Sequence, residues 1–358
     1  MKNLLFTIAL TAACLMTATS SFAQYATDYA PGVNAEGAVY FLPKTTINVT
    51  FTVAKVSYTP GDLCKYADRY MHLSNVSEND DVHYELLSVT LTYSPTADEG
   101  KCYRIPFNPK SVTTNVLLSD EGTLLAVNSD NPYVEEPTLP AESKTENAVD
   151  IRTYMTEDML MAGSKAKLAE LVAGQIYEIR ESRNALMKGE SDYMPSDGAG
   201  LKLMTENLNL QEKALMQLFE GVTEREVTNK TISITPDDNI SRQIIARFSR
   251  KLGLVDNDDL AGAPIYLDVK CQKEIPARTA ATDATSRART RRYEGLVYNL
   301  PAKTNVKVYT TNRTYIESTT PLPQFGETEI LSSRLFRKQS NTKVILDPIN
   351  GALLKVEE

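Results

Sequence analysis

The chain has 358 residues, of which 42% are hydrophobic and 23% are charged, and its formal net charge at pH 7 is −8. This length is enough for two domains or for one large composite domain. Broad nucleic-acid binding requires a basic surface, so the acidic balance excludes a nucleic-acid partner from our expectations.

The first 23 residues have the pattern of a signal peptide. Lys2 supplies positive charge, an apolar run covers residues 4–16, and small residues precede a cleavage point after Ala23. We therefore expect an exported protein, in the periplasm or associated with the outer membrane. The alternative is a lipoprotein anchored through Cys14, which is disfavoured because it would shorten the apolar run. No later apolar run approaches membrane length, so we expect no transmembrane segment.

Residues 24–130 are predicted to form an N-terminal β unit. From Gly37 onward, apolar residues alternate with polar ones, as in a strand with one buried face. Pro60 and Gly61 mark a turn, and residues 62–73 suit a short helix or a loop. The predicted strands of this unit cover residues 37–58, 82–93, 101–107, 112–118 and 123–127.

A short motif occurs near the start of this unit and again near the end of the chain. It reads GAVYFLP at residues 37–43 and GLVYNLP at residues 295–301. A hairpin-like segment at residues 116–127 likewise resembles residues 344–356. This duplication predicts two related β units, with the shared tyrosine in a packing role in each. The repeat positions are Gly37, Tyr40, Pro43, Gly295, Tyr298 and Pro301.

A helical hairpin is predicted over residues 161–222, because apolar residues recur there at helical spacing in two runs. Ser164 is a suitable N-cap for the first helix, and Gly189 is a suitable stop. The second helix is predicted over residues 198–220. The short connection between the two helices makes them antiparallel neighbours.

The segments around the hairpin differ in composition. Residues 131–160 are predicted to be a linker, because prolines lie there among acidic and small polar residues. Residues 223–275 alternate and are predicted to be connecting β strands. Residues 276–292 are rich in Arg, Ala and Thr and are predicted to form a flexible loop. The C-terminal β unit then covers residues 293–358.

The predicted fold class is α+β. We expect two related antiparallel β units, sandwich-like, at the chain ends, and a central antiparallel helical hairpin packed on the sheets. Two amphipathic helices cannot bury both apolar stripes against each other, so the sheets are the expected third surface.

Three cysteines remain after the predicted leader is removed, namely Cys64, Cys102 and Cys271. An exported protein permits a disulfide, and Cys64 and Cys102 fall in the same predicted β unit. We therefore expect these two to pair and Cys271 to remain a buried thiol, since an odd count leaves one cysteine over. The alternative is that all three are small core residues.

Several short runs resemble one known family. The runs are QIYEIRESR at residues 175–183, GE at 189–190, PSDG at 195–198, FSRKLGLVD at 248–256 and DLAG at 259–262. They are similar to an exported Bacteroidota family described as domain of unknown function 4831, and the resemblance spans essentially the whole mature chain. The resemblance implies an exported protein of a diderm bacterium. It implies no activity, cofactor or catalytic residue.

Motifs that carry catalysis or metal binding are missing from the sequence. His72 and His83 are the only histidines, and no Gly-x-Ser-x-Gly elbow accompanies them. Neither Cys-x-x-Cys nor His-Glu-x-x-His occurs, and there is no glycine-rich phosphate loop. We therefore expect no metal and no cofactor, and the sequence favours a protein that is not an enzyme.

The densest charges on predicted ordered structure lie on the first helix of the hairpin. Glu178, Arg180, Glu181 and Arg183 are spaced for contacts along one helix. We favour a structural polar network that fixes the hairpin. The alternative is a hydrolase that uses carboxylates around Glu178 and Glu181, as paired carboxylates do in glycosidases.

The function that the sequence favours is a non-enzymatic exported protein of the cell envelope that binds a partner or takes part in assembly. The alternative is a glycan- or peptide-binding module, with tyrosines lining a cleft between the β units. The partner would be an envelope protein or a glycan. The candidate binding residues lie at the tip of the hairpin and are Glu190, Asp192, Tyr193 and Asp197.

Overall fold

A computed structural model describes the fold of most of the chain. The residues described are 26–28, 37–106, 115–131, 150–190, 197–272, 292–293, 295–332 and 342–357. The predicted leader with Cys14, the greater part of the predicted linker and residues 276–291 lie outside the described residues.

The strands in the described part of the chain are joined by antiparallel pairings. They are β1 (Ala26–Asp28), β2 (Gly37–Thr59), β3 (Asp81–Pro106), β4 (Val116–Leu118), β5 (Leu124–Val127), β6 (Val222–Ile234), β7 (Ile240–Ser249), β8 (Gly253–Val255), β9 (Ala263–Cys271), β10 (Arg292–Tyr293), β11 (Gly295–Tyr309), β12 (Thr314–Ser332), β13 (Lys343–Leu346) and β14 (Leu353–Glu357).

These strands form three sheets. The first sheet has the order β10-β1-β3-β2-β6, the second β12-β11-β9-β7-β8, and the third β14-β13-β5-β4. The main core lies between the first two sheets. Alternate side chains of β2, such as Val49 and Phe51, meet Leu267 of β9 and Val306 of β11 there. The period-two pattern of the sequence therefore becomes one buried face on each sheet.

The first two sheets contain the same three-strand unit. β2 pairs with β3 and β6, and β11 pairs with β12 and β9. The motif copies also make the same backbone contact. Phe41 N donates to Gly122 O at 2.9 Å, and Asn299 N donates to Gly351 O at 3.1 Å. Each copy carries a register irregularity at its proline, and the sequence duplication is thus accompanied by a structural one.

The two copies also contact each other. The Tyr40 hydroxyl donates to Val297 O at 3.2 Å and accepts from Val297 N at 3.1 Å. Asn299 Nδ2 donates to Pro43 O at 2.9 Å. Tyr298, by contrast, donates to Glu329 Oε2 of its own hairpin at 3.0 Å. The shared motif therefore forms the junction between the two β units.

The remaining repeat positions start or kink the hairpins. Gly37 pairs with Pro106 at the start of one hairpin, and Gly295 pairs with Ser332 at the start of the other. Pro301 lies within the register irregularity of β11. These positions have backbone roles in the structure.

The strands predicted at residues 82–93 and 101–107 are continuous as β3. Phe41 of β2 is paired with Cys102, and Pro43 is paired with Ala97. β3 therefore has more residues than β2 between these two pairs. The additional residues form a bulge in β3 rather than a loop. The polar sequence DEGK at residues 98–101 therefore does not end the strand, because β2 continues to pair on both sides of it.

Helices fill the region between β5 and β6 and the turn after β2. Two are 3-10 helices, at Cys64–Tyr66 and Ile151–Tyr154. The α-helices are α1 (Ala67–Met71), α2 (Glu157–Leu160), α3 (Lys165–Lys188) and α4 (Gly198–Glu220).

The ends of α3 and α4 follow their capping residues. The Ser164 hydroxyl accepts from Lys167 N at 3.2 Å, and Gly189 ends α3 in the left-handed conformation. Asp197 accepts from Gly200 N at 2.9 Å and begins α4. The antiparallel pair, called the helical arm below, has the bounds that the sequence predicts.

The helical arm has a core of its own. Its buried cluster comes from helices and adjacent turns, and no described strand residue belongs to it. The members include Leu63, Met71, Met159, Ile176 and Phe219. The α+β class is confirmed, but the third surface that covers the two helical stripes is made mainly by short helices and not by the sheets. An isolated pair of helices would lack this third surface. In this chain, the segments that precede and follow β3 supply it.

The arm joins the sheets at one end. Tyr58 of β2 donates to Glu220 O at 2.9 Å, and Leu63 N donates to Leu218 O at 2.8 Å. A Cβ at Gly61 would lie 2.2 Å from Leu218 O, so only glycine permits this approach.

The predicted disulfide between Cys64 and Cys102 is wrong, since Cys64, Cys102 and Cys271 are free thiols. Cys64 lies just beyond the Thr59 end of β2, whereas Cys102 is paired with Phe41 near the other end. At about 3.3 Å per residue, the stretch between these ends is roughly 60 Å along the strand. Membership of one β unit did not bring the two thiols together, because a single long strand separates them.

Candidate functional site

The predicted binding residues at the tip of the arm have different settings. Glu190 is exposed just after α3. Asp197 is exposed too, but its carboxylate is the N-cap of α4. Asp192 and Tyr193 lie outside the described residues. A substitution at Asp197 would therefore change helix stability as well as surface charge, because a lost N-cap costs about 1 kcal/mol.

A polar network joins the two helices of the arm. Arg180 Nε donates to Glu212 Oε1 at 2.6 Å, and Arg183 donates to Glu212 Oε2 and to Asn209 Oδ1. Burial disfavours ionisation of Glu212, but these arginines outweigh it, so the pKa of Glu212 lies below its ordinary value. The carboxylate therefore stays charged and fixes α4 against α3.

The predicted network is thus built across the helices and not along one of them. Glu178 and Glu181, which the alternative hydrolase would use, are exposed on α3. Their neighbouring arginines turn to Glu212 instead. One feature of the sequence indicates that Glu212 is the partner of these arginines. Glu212 lies between Leu208 and Leu215, on the inward side of its helix. A charged residue at such a position needs a partner on the facing helix.

One side of α4 carries three exposed apolar side chains, with the exposed Asn207 between them. Leu203 is 61% exposed, Leu210 is 41% exposed and Met204 is 39% exposed. Residues seven apart lie on the same helix face, so Leu203 and Leu210 are neighbours along the axis and Met204 flanks them. We call these three residues the α4 apolar row. Ala214 continues the row toward the base of the arm and is fully buried.

A second region of interest is a polar cleft on the second sheet. Its volume is about 630 Å³, and it lies on the outer face of β9 and β11 beside the turn that joins β11 to β12. The side chains of Lys270, Asn305 and Lys307 line it. The alternate residues of these strands, such as Leu267 and Val306, face the main core. We call this region the outer cleft.

Asp268 forms the floor of the outer cleft and is 9% exposed. Its Oδ1 accepts from Arg242 N at 2.7 Å and from the Tyr309 hydroxyl at 3.1 Å. Its Oδ2 lies 3.2 Å from Lys270 Nζ. Burial disfavours the charged form, but these partners outweigh it and hold the pKa of Asp268 below its ordinary value. The negative charge of Asp268 therefore fixes its three partners, the Arg242 N–H, the Tyr309 hydroxyl and the Lys270 ammonium group, in place.

Aromatic rings and cations surround this carboxylate. The rings of Tyr266 and Tyr309 are 5.5 Å apart, and Arg242 lies 5.4 Å over the Tyr266 ring. Arg242 has a positive φ of 53° within an irregularity of β7. A non-glycine residue in this conformation is strained, and such strain is found at binding sites more often than elsewhere. Sequence reasoning missed this group because three strands, β7, β9 and β11, contribute to it.

The two histidines do not form a catalytic constellation with a described nucleophile. His83 Nδ1 lies 2.8 Å from Asp81 Oδ2, and its Nε2 lies 3.6 Å from Glu85 Oε1. His72 ends α1 in the left-handed conformation. Within the described ranges, no group of three or more His, Cys, Asp or Glu side chains is placed to hold a metal ion.

No helix among the described residues combines the length and the apolarity needed to cross a membrane. Comparison with known proteins identifies one family. A family model, Domain of unknown function (DUF4831), matches residues 36–354. No curated protein and no solved structure matches the chain.

Proposed function

The chain belongs to the DUF4831 family, and we propose that it is an exported, non-enzymatic protein of the cell envelope that binds a protein partner through its helical arm. The predicted leader at residues 1–23 supports export. The partner is a protein segment with an apolar face, such as an amphipathic helix, because the surface that would receive it is a row of apolar side chains.

The observation that carries the proposal is the exposure of the α4 apolar row. Scattered apolar side chains are normal on protein surfaces, whereas a row along one helix face is typical of an interaction site. Leu203, Met204 and Leu210 form such a row within two turns. The same face is buried at Ala214. This side of the helix therefore presents three apolar side chains around the exposed Asn207 and is covered only at its base.

The arm presents this row on a firm support. Arg180 and Arg183 of α3 form ion pairs with Glu212 of α4, and these pairs connect the two helices near the middle of the arm. The arm core lies near the junction with the sheets, around Leu63 and Phe219. A row on a fixed helix loses little conformational freedom when a partner binds, which favours affinity.

Catalysis by the arm has no support in this geometry. A hydrolase based on Glu178 and Glu181 would need both carboxylates in a cleft opposite a further acid. Both side chains are exposed, and the charged network next to them is satisfied by Glu212. This favours the binding proposal over the hydrolase.

The proposal is tested by photo-crosslinking in intact source cells. A photoreactive amino acid replaces Leu203 or Leu210 in separate strains, and Glu178, exposed on the other helix, receives it as the control position. We expect one partner protein to be joined at positions 203 and 210 and not at 178. Crosslinking of the same protein at all three positions, or at none, would contradict the proposal.

A double variant separates binding from folding. We expect Leu203→Asp with Leu210→Asp to lose the crosslinked partner while its melting temperature stays within about 2 °C, since exposed substitutions have small effects on stability. The matched control is Glu178→Lys. At the predicted tip, Glu190→Gln with Asp197→Asn tests the charge while keeping a capping side chain on α4. Retention of the partner by the Leu203 and Leu210 double variant would overturn the role of the row.

A further inference from the structure

The outer cleft has the size and chemistry of a ligand site that is separate from the arm. Its volume of about 630 Å³ lies within the usual range for small-ligand pockets. It lies over the outer face of the paired strands β9 and β11, beside the turn before β12. A cleft that is open on the surface of a sheet can receive a short stretch of polymer, whose ends extend beyond it.

The charge of the cleft is opposite to that of the whole chain. Three cations line it, namely Lys270, Lys307 and Arg313, and they face the two carboxylates of Asp268 and Glu317. The chain as a whole carries −8. A local positive surplus in an acidic protein attracts an anion, while the surrounding negative charge disfavours long, densely charged polyanions such as nucleic acids.

Both carboxylates are already committed within the protein. Asp268 holds Tyr309 and Lys270. Glu317 accepts from Asn305 at 3.1 Å and lies 3.3 Å from Lys307 Nζ. They position the cations and polar groups before a ligand arrives, and such preorganisation favours binding. Arg313, which also lines the cleft, lies over the Tyr315 ring, and no carboxylate among the described residues pairs with it.

The rest of the lining consists of hydroxyl and amide groups. Asn305 and Tyr309 come from β11, and Thr310, Thr311, Asn312 and Thr314 come from the turn and the start of β12. These groups both donate and accept hydrogen bonds, as sugar hydroxyls do. A ligand that satisfies this lining carries hydroxyl groups as well as negative charge.

We propose that the outer cleft binds an anionic oligosaccharide, such as a chain of uronic acids. The sugar carboxylates lie against Lys307 and Arg313, and the sugar hydroxyls bond to the threonines and asparagines of the turn. Lys270, held by Asp268, contacts a further anionic or hydroxyl group. This site is independent of the α4 apolar row, and its failure would leave the arm proposal untouched.

The test is isothermal titration calorimetry of the purified protein with three probes. The probes are tetragalacturonate, neutral maltotetraose and inorganic pyrophosphate. We expect tetragalacturonate to bind, maltotetraose to bind at least ten-fold more weakly, and pyrophosphate not to displace tetragalacturonate at equal concentration. Raising the NaCl concentration from 50 to 500 mM should weaken tetragalacturonate binding several-fold, because exposed charges are screened.

Variants locate the site. Lys307→Gln with Arg313→Gln should weaken tetragalacturonate binding at least ten-fold, whereas Lys202→Gln, an exposed lysine on α4, should leave it unchanged. Absence of tetragalacturonate binding to the wild type would overturn the proposal, as would equal binding of maltotetraose. Equal displacement by pyrophosphate would overturn it in favour of a small-anion site. If the double variant does not fold, the wild-type salt dependence still tests the proposal, because binding that does not weaken at 500 mM NaCl would overturn it.

Discussion

The two copies of the repeated motif share a backbone and differ in their side-chain surroundings. Tyr40 is fully buried and its hydroxyl is bonded to the other copy, whereas Tyr298 is half-buried and bonded to Glu329 beside it. Asn299 stands where the first copy has Phe41, and it is fully buried. Its amide reaches the backbone of the first copy at Pro43.

This difference shows what duplication can and cannot preserve. Each copy repeats the bulge and the contact to a glycine of the following hairpin. Where the copies meet, however, two identical tyrosines cannot fill one space in a close-packed interior. One copy supplies the buried tyrosine and the other the buried amide, so the junction is asymmetric. Substitutions at matched positions should therefore have unequal effects.

The largest difference in stability is expected at the two glycines whose carbonyl oxygens accept hydrogen bonds from the motif copies. Gly122 and Gly351 both have positive φ, at 77° and 69°. A Cβ at Gly351 would lie 2.8 Å from Pro43 Cδ, whereas one at Gly122 would lie 3.3 Å from Phe41 Cδ2. We expect Gly351→Ala to cost about 3 kcal/mol, from backbone strain plus overpacking.

Gly122→Ala should cost about 1.5 kcal/mol, from the left-handed backbone alone. Urea unfolding of both variants measures the difference. Equal losses would mean that the Pro43 ring moves aside freely, which would remove the asymmetry from this part of the junction.

A difference of the same size is expected at the residue that replaces Phe41 in the second copy. Asn299 Nδ2 donates to Pro43 O and to Asn350 O, both at 2.9 Å. Asn299→Ala leaves these carbonyls unpaired, and we expect a loss of about 3 kcal/mol in the free energy of unfolding. Phe41→Ala should lose about 1.5 kcal/mol, because Phe41 is only half-buried. The reverse order in urea unfolding would contradict the junction described here.

A smaller effect is expected from the two tyrosine hydroxyls. Tyr40→Phe leaves Val297 N–H and C=O without their buried partner, so we expect a loss of about 2 kcal/mol. Tyr298→Phe removes a single bond to Glu329 at a half-buried position and should cost less than about 1 kcal/mol. The same urea experiment measures both variants. Matching losses would show that the two hydroxyls are equivalent, contrary to their surroundings.

The smallest effect is a pH dependence confined to the second copy. Burial, together with Glu329, raises the pKa of Tyr298 from 10 to about 12. A raised folded-state pKa contributes stability that is complete below about pH 10 and is lost as the pH rises through 12. Wild type should therefore lose stability relative to Tyr298→Phe as the pH rises from about 10 to about 12.

The control for this experiment is Glu329→Gln, which removes the neighbouring charge and should reduce the pH dependence. Denaturant unfolding at a series of pH values gives the profiles. Profiles of wild type and Tyr298→Phe that remain parallel up to pH 11 would rule out the raised pKa.

Local patterns in the sequence predicted the elements well where the cause is local. Both arm helices begin and end where Ser164, Gly189 and Asp197 place their caps, because capping depends on residues within one turn. The alternation from Gly37 onward produces β2 for the same reason. The continuous β3 was not predicted, since only the partner strand carries pairing across the polar stretch at residues 98–101.

The arm network and the outer cleft also differ in how far local sequence patterns predict them. The charged residues around Arg180 predict a charged arm. That Glu212 is the partner of Arg180 becomes evident only when α4 lies against α3. The outer cleft gave no local signal. Its polar residues alternate along β9 and β11, and that pattern alone does not tell which residues of two distant strands stand side by side. Strand register decides this, and register is a property of the assembled sheet.

The sequence by itself determined the α+β class, the arm helices, the repeated motif and the family resemblance. These depend on spacing within a few residues or on direct similarity of residues. Tertiary structure alone decided that Cys64 and Cys102 are apart, that short helices cover the arm, and that Tyr40 is buried while Tyr298 is not. Each of these depends on which distant segments share one close-packed space, and that is settled only when the whole chain folds.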